Sequence, residues 1–171
     1  MVFGPKDYSK TVAHVFPNLK FGHVDLSYVN SFKYLGHIIT SDLSDDADIQ
    51  REIKSMFVRT NILIRKFAIC SRAVKIVLFK SYCLCLYGNA LWRSHSIGKF
   101  AKLLTCYNKC IKLFFCYDKR YSVTQMLLEL GLPCFKTVVI NGKLHNAMVS
   151  SDNLIINHLC SIGIGELIGD Y

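Results

Sequence analysis

The sequence contains little proline and glycine, and no apolar run long enough to cross a membrane uninterrupted. Only 3 of its 171 residues are proline and 10 are glycine, which excludes collagen-like and low-complexity classes. Hydrophobic residues make up 51% of the chain and the mean hydropathy is +0.28, so an intrinsically disordered chain is excluded as well. The length fits one domain, or one domain plus an extension, and is too short for a polymerase or another large enzyme.

Acidic residues are absent between Ile53 and Tyr117. The same stretch contains these basic residues: Lys54, Arg59, Arg65, Lys66, Arg72, Lys75, Lys80, Arg93, Lys99, Lys102, Lys109 and Lys112. The chain has a formal net charge of +9. Ordinary helix surfaces carry both acidic and basic residues, because pairs of opposite charge limit repulsion between like charges. The pattern favours a polyanionic partner, nucleic acid or an anionic membrane surface, over the alternative that these side chains only solubilise an apolar chain.

Neither a secretory signal nor a membrane span is evident in the sequence. Pro5 follows the N-terminus closely, and the most apolar stretch, Val74 to Trp92, is interrupted by Lys75 and Lys80. We therefore expect an intracellular protein, nuclear or cytoplasmic and not secreted, whose cysteines are reduced.

The eight cysteines include no CxxC pair. Cys106 and Cys110 are four residues apart and can share one face of a helix, but no histidine is close to them in sequence. Buried free thiols are common in helical cores, so core packing is favoured over a zinc site.

The N-terminal part of the chain predicts strands and turns. Met1 to Phe3 is a short apolar run, and Leu19 to Leu26 predicts a short hairpin. Ser31 to Thr40 is rich in β-branched and aromatic residues and predicts one strand, with a bulge or a close backbone approach at Gly36.

Residues 44–48 predict an N-cap and an acidic first turn for a helix that ends near Ala68. One side of this helix is apolar: Ile49, Ile53, Met56, Leu63, Ile64 and Phe67. The opposite side is basic: Arg51, Lys54, Arg59, Arg65 and Lys66. The first side is expected to pack on a core and the second to face solvent or an anion.

A second helix is predicted over about 72–91 after the cap residue Ser71, and its apolar residues surround the helix, as in a helix buried between neighbours. A third helix is predicted from Ser96 to about Tyr117. Its lysines lie opposite its apolar stripe: Lys102, Lys109 and Lys112.

Two shorter helices are predicted after these. Ser122 and Gln125 form a capping box for the first, which Gly131 ends. The second is predicted over 135–149. Together the elements predict a mainly α fold, a helical bundle preceded by a small β-hairpin and strand segment.

Five strings of the sequence occur in an order that is also found in a known family. They are FKYLGHIIT (Phe32 to Thr40), SDLSDDADIQREI (Ser41 to Ile53), LFKSYCLCLYGNALW (Leu78 to Trp92), YNKCIKLFF (Tyr107 to Phe115) and SVTQMLLELGLP (Ser122 to Pro133). This order resembles the C-terminal part of reverse transcriptases encoded by non-LTR (LINE-type) retrotransposons of animals. The opening MVFGPK is similar to the end of the palm domain in that family.

The resemblance implies three regions. Residues 1–42 would be the end of the palm with the strands that position the primer end, 43–150 a helical, thumb-like and connection-like domain that grips the primer–template duplex, and 151–171 an apolar tail without an assignment. The implied primer-grip residues are Phe32, Tyr34, Leu35 and Gly36. The implied contacts to the nucleic-acid backbone are Lys54, Arg59, Arg65, Lys66, Lys102, Lys109 and Lys112. The implied partners are DNA or an RNA–DNA hybrid, and also the palm and fingers of a parent polymerase.

Catalytic residues of such a polymerase are not evident. Polymerisation needs palm carboxylates that hold two metal ions. The Asp45–Asp46 pair lies where a helix starts rather than in a hairpin between apolar strands, so helix capping is the favoured interpretation. No Gly-x-Ser-x-Gly, P-loop or HExxH motif occurs, and nothing singles out a Cys–His pair. We expect no catalytic residue, metal or cofactor in this chain, and no enzyme activity, although the resembled parent is an RNA-directed DNA polymerase.

Two functions from different classes remain open. The first is a non-catalytic nucleic-acid-binding thumb region, derived from a truncated reverse transcriptase, that binds the phosphate backbone. The alternative is a small helical protein-interaction module with an exposed apolar surface and no nucleic-acid role.

Overall fold

A computed structural model describes residue 17, residues 19–84, residue 86, residues 89–149, residues 151–155 and residue 158. Two small antiparallel strand pairs precede a mainly helical body, so the predicted fold class is confirmed. The strand predicted at Met1 to Phe3 and most of the C-terminal tail lie outside the described residues.

The strands form two separate hairpins in the first part of the chain. The first pairs β1 (Leu19–Phe21) with β2 (Val24–Leu26), as predicted. The second pairs β3 (Ser31–Tyr34) with β4 (His37–Thr40).

The second hairpin corrects the prediction of one strand with a bulge at Gly36. Tyr34 pairs with His37, and Leu35 and Gly36 between them form a two-residue turn with φ of 46° and 86°. Such a turn requires positive φ at both central residues, which glycine adopts readily and leucine does not. Because leucine is uncommon at a position with positive φ, the sequence did not indicate this turn.

The helical body begins after the second hairpin. Its elements are α1 (Asp46–Phe67), α2 (Arg72–Cys83), a 3₁₀ turn (Asn89–Leu91), α3 (Ile97–Phe114), α4 (Val123–Leu130) and α5 (Phe135–Val149). The predicted serine caps are confirmed, because the hydroxyls of Ser71, Ser96 and Ser122 accept hydrogen bonds from the amides three residues further on. Gly131 ends α4 in the left-handed conformation, as expected of a C-terminal glycine.

Helices α1 and α3 run side by side in the same direction. The Nζ of Lys99 donates to Gln50 in the first turns of the two helices (3.4 Å), and the thiol of Cys106 donates to the carbonyl of Ile53 further along (3.7 Å). Because contacts advance along both helices together, the C-terminal ends of α1 and α3 lie at the same end of the body.

Helix α2 differs from its prediction in length and in burial. It ends at Cys83 rather than near Leu91, where only the 3₁₀ turn is found. Phe79 is fully buried, but Val74 and Val77 are exposed, so α2 packs on one side only. The prediction that α2 has neighbours on every side, made from the apolar residues around the helix, was therefore wrong. Among the described residues, no element packs on the side that carries Val74 and Val77.

Aromatic rings form the centre of the core. The ring of Phe79 lies 6.2 Å from that of Tyr107 and 6.3 Å from that of Phe114, which joins α2 to α3. The ring of Phe135 in α5 lies 5.5 Å from that of Tyr107, whose hydroxyl donates to the carbonyl of Pro133 (2.6 Å). These contacts fix α3 as the helix against which the others pack.

Candidate nucleic-acid interface

Segments from three parts of the chain meet at the buried carboxylate of Asp48. It accepts hydrogen bonds from Nε1 of Trp92 (2.9 Å) and from the backbone amide of Ile38 (3.0 Å). Nε of Arg51 donates to it at 2.7 Å, and Nδ1 of His37 lies 3.1 Å away. The β3–β4 hairpin, the start of α1 and the segment before α3 are thereby held together, and each belongs to one of the strings that carry the family resemblance.

The Asp45–Asp46 pair connects α1 to the segment that precedes α3. The carboxylate of Asp45 makes no cap hydrogen bond to α1, so the capping interpretation was wrong for this side chain. It accepts instead from the amides of Arg93 (2.8 Å) and Ser94 (2.6 Å), and the carboxylate of Asp46 accepts from the amide of Ser96 (2.7 Å). The hydrogen bond from Ser96 lowers the pKa of Asp46. Both carboxylates therefore bind backbone amides.

Two arginines on the predicted basic side of α1 pair with acids of the same helix. Nη1 of Arg51 lies 3.2 Å from Oε2 of the buried Glu52, and Arg59 pairs with Oε1 of the same residue. The Nε of Arg59 is buried and has no hydrogen-bond partner in the part of the chain that the structure describes. Arg59 was predicted to contact the nucleic-acid backbone, and its guanidinium is already engaged within the protein.

Cations from both helices line one edge of the contact between α1 and α3. The Nζ of Lys109 lies 5.6 Å from the ring centroid of Phe57. Lys54 precedes Phe57 by three residues, and side chains at this spacing are neighbours on a helix surface. Lys109 of α3 therefore packs on the ring of a residue that neighbours Lys54 on the surface of α1.

Each of the two helices continues this row of cations. Lys102 precedes Lys109 by two turns of α3, about 10 Å, and Arg65 follows Lys54 by three turns of α1, about 16 Å. All these side chains are exposed, and no ion pair between described residues involves any of them. We name this set the basic flank: Lys54, Arg65, Lys102 and Lys109.

The other predicted backbone contacts lie away from the basic flank. Lys66 is exposed but is turned by about 100° around α1 from Arg65. Nζ of Lys112 donates to the carbonyls of Lys119 (2.7 Å) and Tyr121 (2.6 Å), which closes the turn after α3. Lys112 therefore has a structural task within the fold.

The residues predicted to form the primer grip lie on β3 and on the turn that follows it. Phe32, Tyr34 and Leu35 are exposed large side chains, and Leu35 is 82% exposed. Tyr34 and Leu35 line an apolar cavity of about 280 Å³ with Leu43, Leu91 and Trp92. Three of the four predicted residues thus present apolar surface to solvent, and two of them border this cavity.

Sequence reasoning did not identify this cavity or the hydrogen bonds to Asp48. Asp48 was interpreted only as a first-turn acid of α1, which it is. The sequence indicated these hydrogen bonds only through three side chains that can donate, His37, Arg51 and Trp92, which lie in the strings that carry the family resemblance. Their convergence depends on tertiary structure, so spacing in the sequence does not reveal it.

The cysteines of α3 lie in the core. The Sγ atoms of Cys106 and Cys110 are 3.9 Å apart and both residues are buried. The hydrogen bond with Cys110 and burial raise the pKa of the Cys106 thiol. Across the described ranges, no group of three or more His, Cys, Asp or Glu side chains is arranged to hold a metal ion.

Among the described helices, none is by itself long and apolar enough to cross a membrane. One pair, Val123–Leu130 with Phe135–Leu144, has sufficient length and apolar composition but is bent by 58°. Met126, Leu130 and Phe135 of this pair are buried in the protein core.

Comparisons of the chain with protein-family models, with curated proteins and with solved structures find no match. The resemblance of the five strings therefore enters the functional argument as a hypothesis, beside the geometry of the basic flank.

Proposed function

We propose that this protein is a non-catalytic nucleic-acid-binding module, comparable to the thumb region of a truncated reverse transcriptase, that binds the phosphate backbone of DNA or an RNA–DNA hybrid. The observation that carries the proposal is the basic flank: exposed cations on two adjacent parallel helices, without an acidic partner among the described residues. The resemblance of the five strings supports the same function.

The chemistry of the basic flank fits phosphate rather than base recognition. Lys54, Lys102 and Lys109 carry ammonium groups on flexible stems, which act as point charges toward phosphates. Neutralising phosphates releases condensed counterions and gives affinity with little dependence on sequence. The α1–α3 packing keeps the two rows of cations together, because Lys109 of α3 packs on the ring of Phe57, one helical turn after Lys54 in α1.

The test is a charge reversal of one cation from each helix, Lys54→Glu with Lys109→Glu. Fluorescence anisotropy on a labelled DNA duplex and on an RNA–DNA hybrid measures affinity, and circular dichroism melting measures stability. We expect affinity to fall at least tenfold at low salt with the melting temperature nearly unchanged, because exposed charges contribute little to stability.

A matched control separates local contact from net charge. Lys119→Glu with Lys136→Glu changes the net charge by the same amount at exposed positions outside the basic flank. We expect a much smaller loss of affinity in this control. Equal losses in the two double variants would contradict binding through the basic flank, and unchanged binding in both would contradict a backbone-binding function.

The protein-interaction alternative is favoured by a different surface. On the outer sides of α1 and α2, Val58, Ile62, Val74 and Val77 are exposed. Apolar surface of this kind is typical of a partner site. Replacing Val74 and Val77 by serine would leave nucleic-acid binding unchanged if the basic flank is the interface, whereas an interaction module would bind no nucleic acid in any of these variants.

A further inference from the structure

A second cavity, of about 300 Å³, lies at the end of the body where α1 and α3 end and α2 begins. Two of the residues that line it are cysteines, Cys70 and Cys116. The other lining residues are Arg72, Lys75, Phe115, Tyr117 and Glu129. Both cysteines are free thiols; Cys116 is exposed and Cys70 is half-buried.

The two cysteines share this cavity because α1 and α3 run in the same direction. Cys70 follows the end of α1, and its amide donates to the carbonyl of Phe67 in a turn (3.2 Å). Cys116 follows the end of α3 with a φ of 59°, outside the helix. Neither residue lies within a helix, so a bond between them would join the turns that follow α1 and α3.

We propose that Cys70 and Cys116 form a redox-sensitive thiol pair that an anionic low-molecular-weight disulfide, such as oxidised glutathione, converts to an intramolecular disulfide. The exposed Cys116 thiolate attacks one sulfur of the reagent, forms a mixed disulfide and releases one thiolate. The Cys70 thiolate then attacks the Cys116 sulfur, forms the Cys70–Cys116 bond and releases the second thiolate. Two protein thiols are oxidised, the reagent is reduced to two thiols, and the protons of the cysteines pass to the released thiolates.

The charge around the cavity selects the sign of the reagent. Arg72 and Lys75 are cationic and Glu129 is the single acid in the lining. The carboxylate of Glu129 already accepts hydrogen bonds from the hydroxyls of Tyr117 (2.8 Å) and Tyr121. Nη2 of Arg72 lies 3.5 Å from Oε2 of Glu129, so these two charges offset each other and Lys75 supplies the net positive charge of the lining. That charge attracts a reagent with carboxylates, which oxidised glutathione carries.

The other described thiols differ in access or in neighbours. Cys106 and Cys110 have Sγ atoms only 3.9 Å apart, but both are buried and lie within one helix. Cys83 is buried, and the exposed Cys134 lines neither of the two cavities described above. Cys134 is therefore expected to stop at a mixed disulfide, and Cys106 and Cys110 to stay reduced.

The experiment treats the full chain with oxidised glutathione, blocks the remaining thiols, digests the protein without reduction and identifies linked peptides by mass spectrometry. We expect a peptide pair joined through Cys70 and Cys116 as the main cross-link, with a higher melting temperature of the oxidised protein. Mixed disulfides at both residues without a cross-link, or a main cross-link between other cysteines, would overturn the proposal.

Single replacements make the assignment specific. In Cys70→Ser, the reaction should stop at a mixed disulfide on Cys116, and the rise in melting temperature should disappear. In Cys134→Ser, the cross-link and the rise should persist. Oxidation by the cationic disulfide cystamine should be slower at equal concentration, and an equal or faster rate would overturn the anionic preference.

Discussion

At the scale of single residues, Asp48 holds the start of the helical body to the second hairpin. Burial alone would raise the pKa of this carboxyl, but the hydrogen bonds from Arg51, Trp92, the amide of Ile38 and His37 hold the pKa of Asp48 well below its usual range. Asp48 is therefore charged in the folded protein at neutral pH, although only 3% of it is exposed. A buried charge of this kind persists only where donors surround it.

Asp48→Asn is expected to destabilise the protein by about 1.5–3 kcal/mol at neutral pH, because it removes the buried charge that accepts hydrogen bonds from Arg51, Trp92 and the amide of Ile38. Urea unfolding measures the change. Asp25→Asn is the matched control: the Asp25 carboxylate is exposed and its one ion pair with a described residue is to Lys20, so its loss should change stability by about 0.5 kcal/mol or less.

The same variant is expected to have a distinct pH profile. A carboxyl whose pKa is lowered by folding contributes stability above its unfolded pKa of about 4, and this contribution is lost as the pH falls toward the folded pKa. The deficit of Asp48→Asn relative to the natural chain should therefore be largest above about pH 5 and shrink below pH 4. A deficit independent of pH between 7 and 3 would show that the charge of Asp48 contributes nothing.

At the scale of elements, the sequence predicted where helices begin more accurately than it predicted which sides of them are buried. Ser71, Ser96 and Ser122 start their helices as expected, because a cap is a local interaction between residues three positions apart. The burial of α2 was predicted wrongly, because the number of neighbours around a helix is decided by the rest of the chain. The candidate site illustrates the same difference. The apolar side of α1 was correctly predicted from local spacing. The pairing of Arg59 with Glu52 was not predicted, because it depends on side-chain geometry.

The turn between β3 and β4 allows a test at this scale. Leu35 has a φ of 46°, a conformation that costs an ordinary L-residue about 1–2 kcal/mol and that asparagine adopts more readily. Leu35→Asn should therefore stabilise the protein by about 0.5–1 kcal/mol in urea unfolding, since little buried apolar surface is lost at this exposed position.

Gly36→Ala is the opposing variant at the neighbouring residue. Its φ of 86° strains any residue with a Cβ atom, although no atom lies within 4 Å of the added carbon. It should destabilise the hairpin by backbone strain alone, by about 1 kcal/mol. Destabilisation by Leu35→Asn would indicate that the Leu35 side chain is needed at the cavity which it borders.

At the scale of the whole molecule, the parallel packing of α1 and α3 creates both candidate sites. Along the side of the helix pair it brings Lys109 of α3 onto Phe57 of α1, one turn from Lys54. At the end of the pair it brings Cys70 and Cys116 to one cavity. The sequence itself has no acidic residue between Ile53 and Tyr117, and this absence supports the proposed contact with a polyanion. It did not predict which cations share a surface, because helix direction and side-by-side packing are tertiary properties.

The salt dependence of binding tests the basic flank as a unit. Each phosphate neutralised on B-DNA contributes about −0.9 to the slope of log K against log salt. Four cations of the basic flank, Lys54, Arg65, Lys102 and Lys109, therefore predict a slope of about −3.6, and affinity should fall roughly a hundredfold between 50 and 200 mM salt. In Lys54→Glu with Lys109→Glu the slope should become shallower by about 2, whereas Lys119→Glu with Lys136→Glu should retain the original slope. A slope near zero in the natural chain would contradict binding through phosphates and favour the protein-interaction function, because apolar surface buried between proteins does not release counterions.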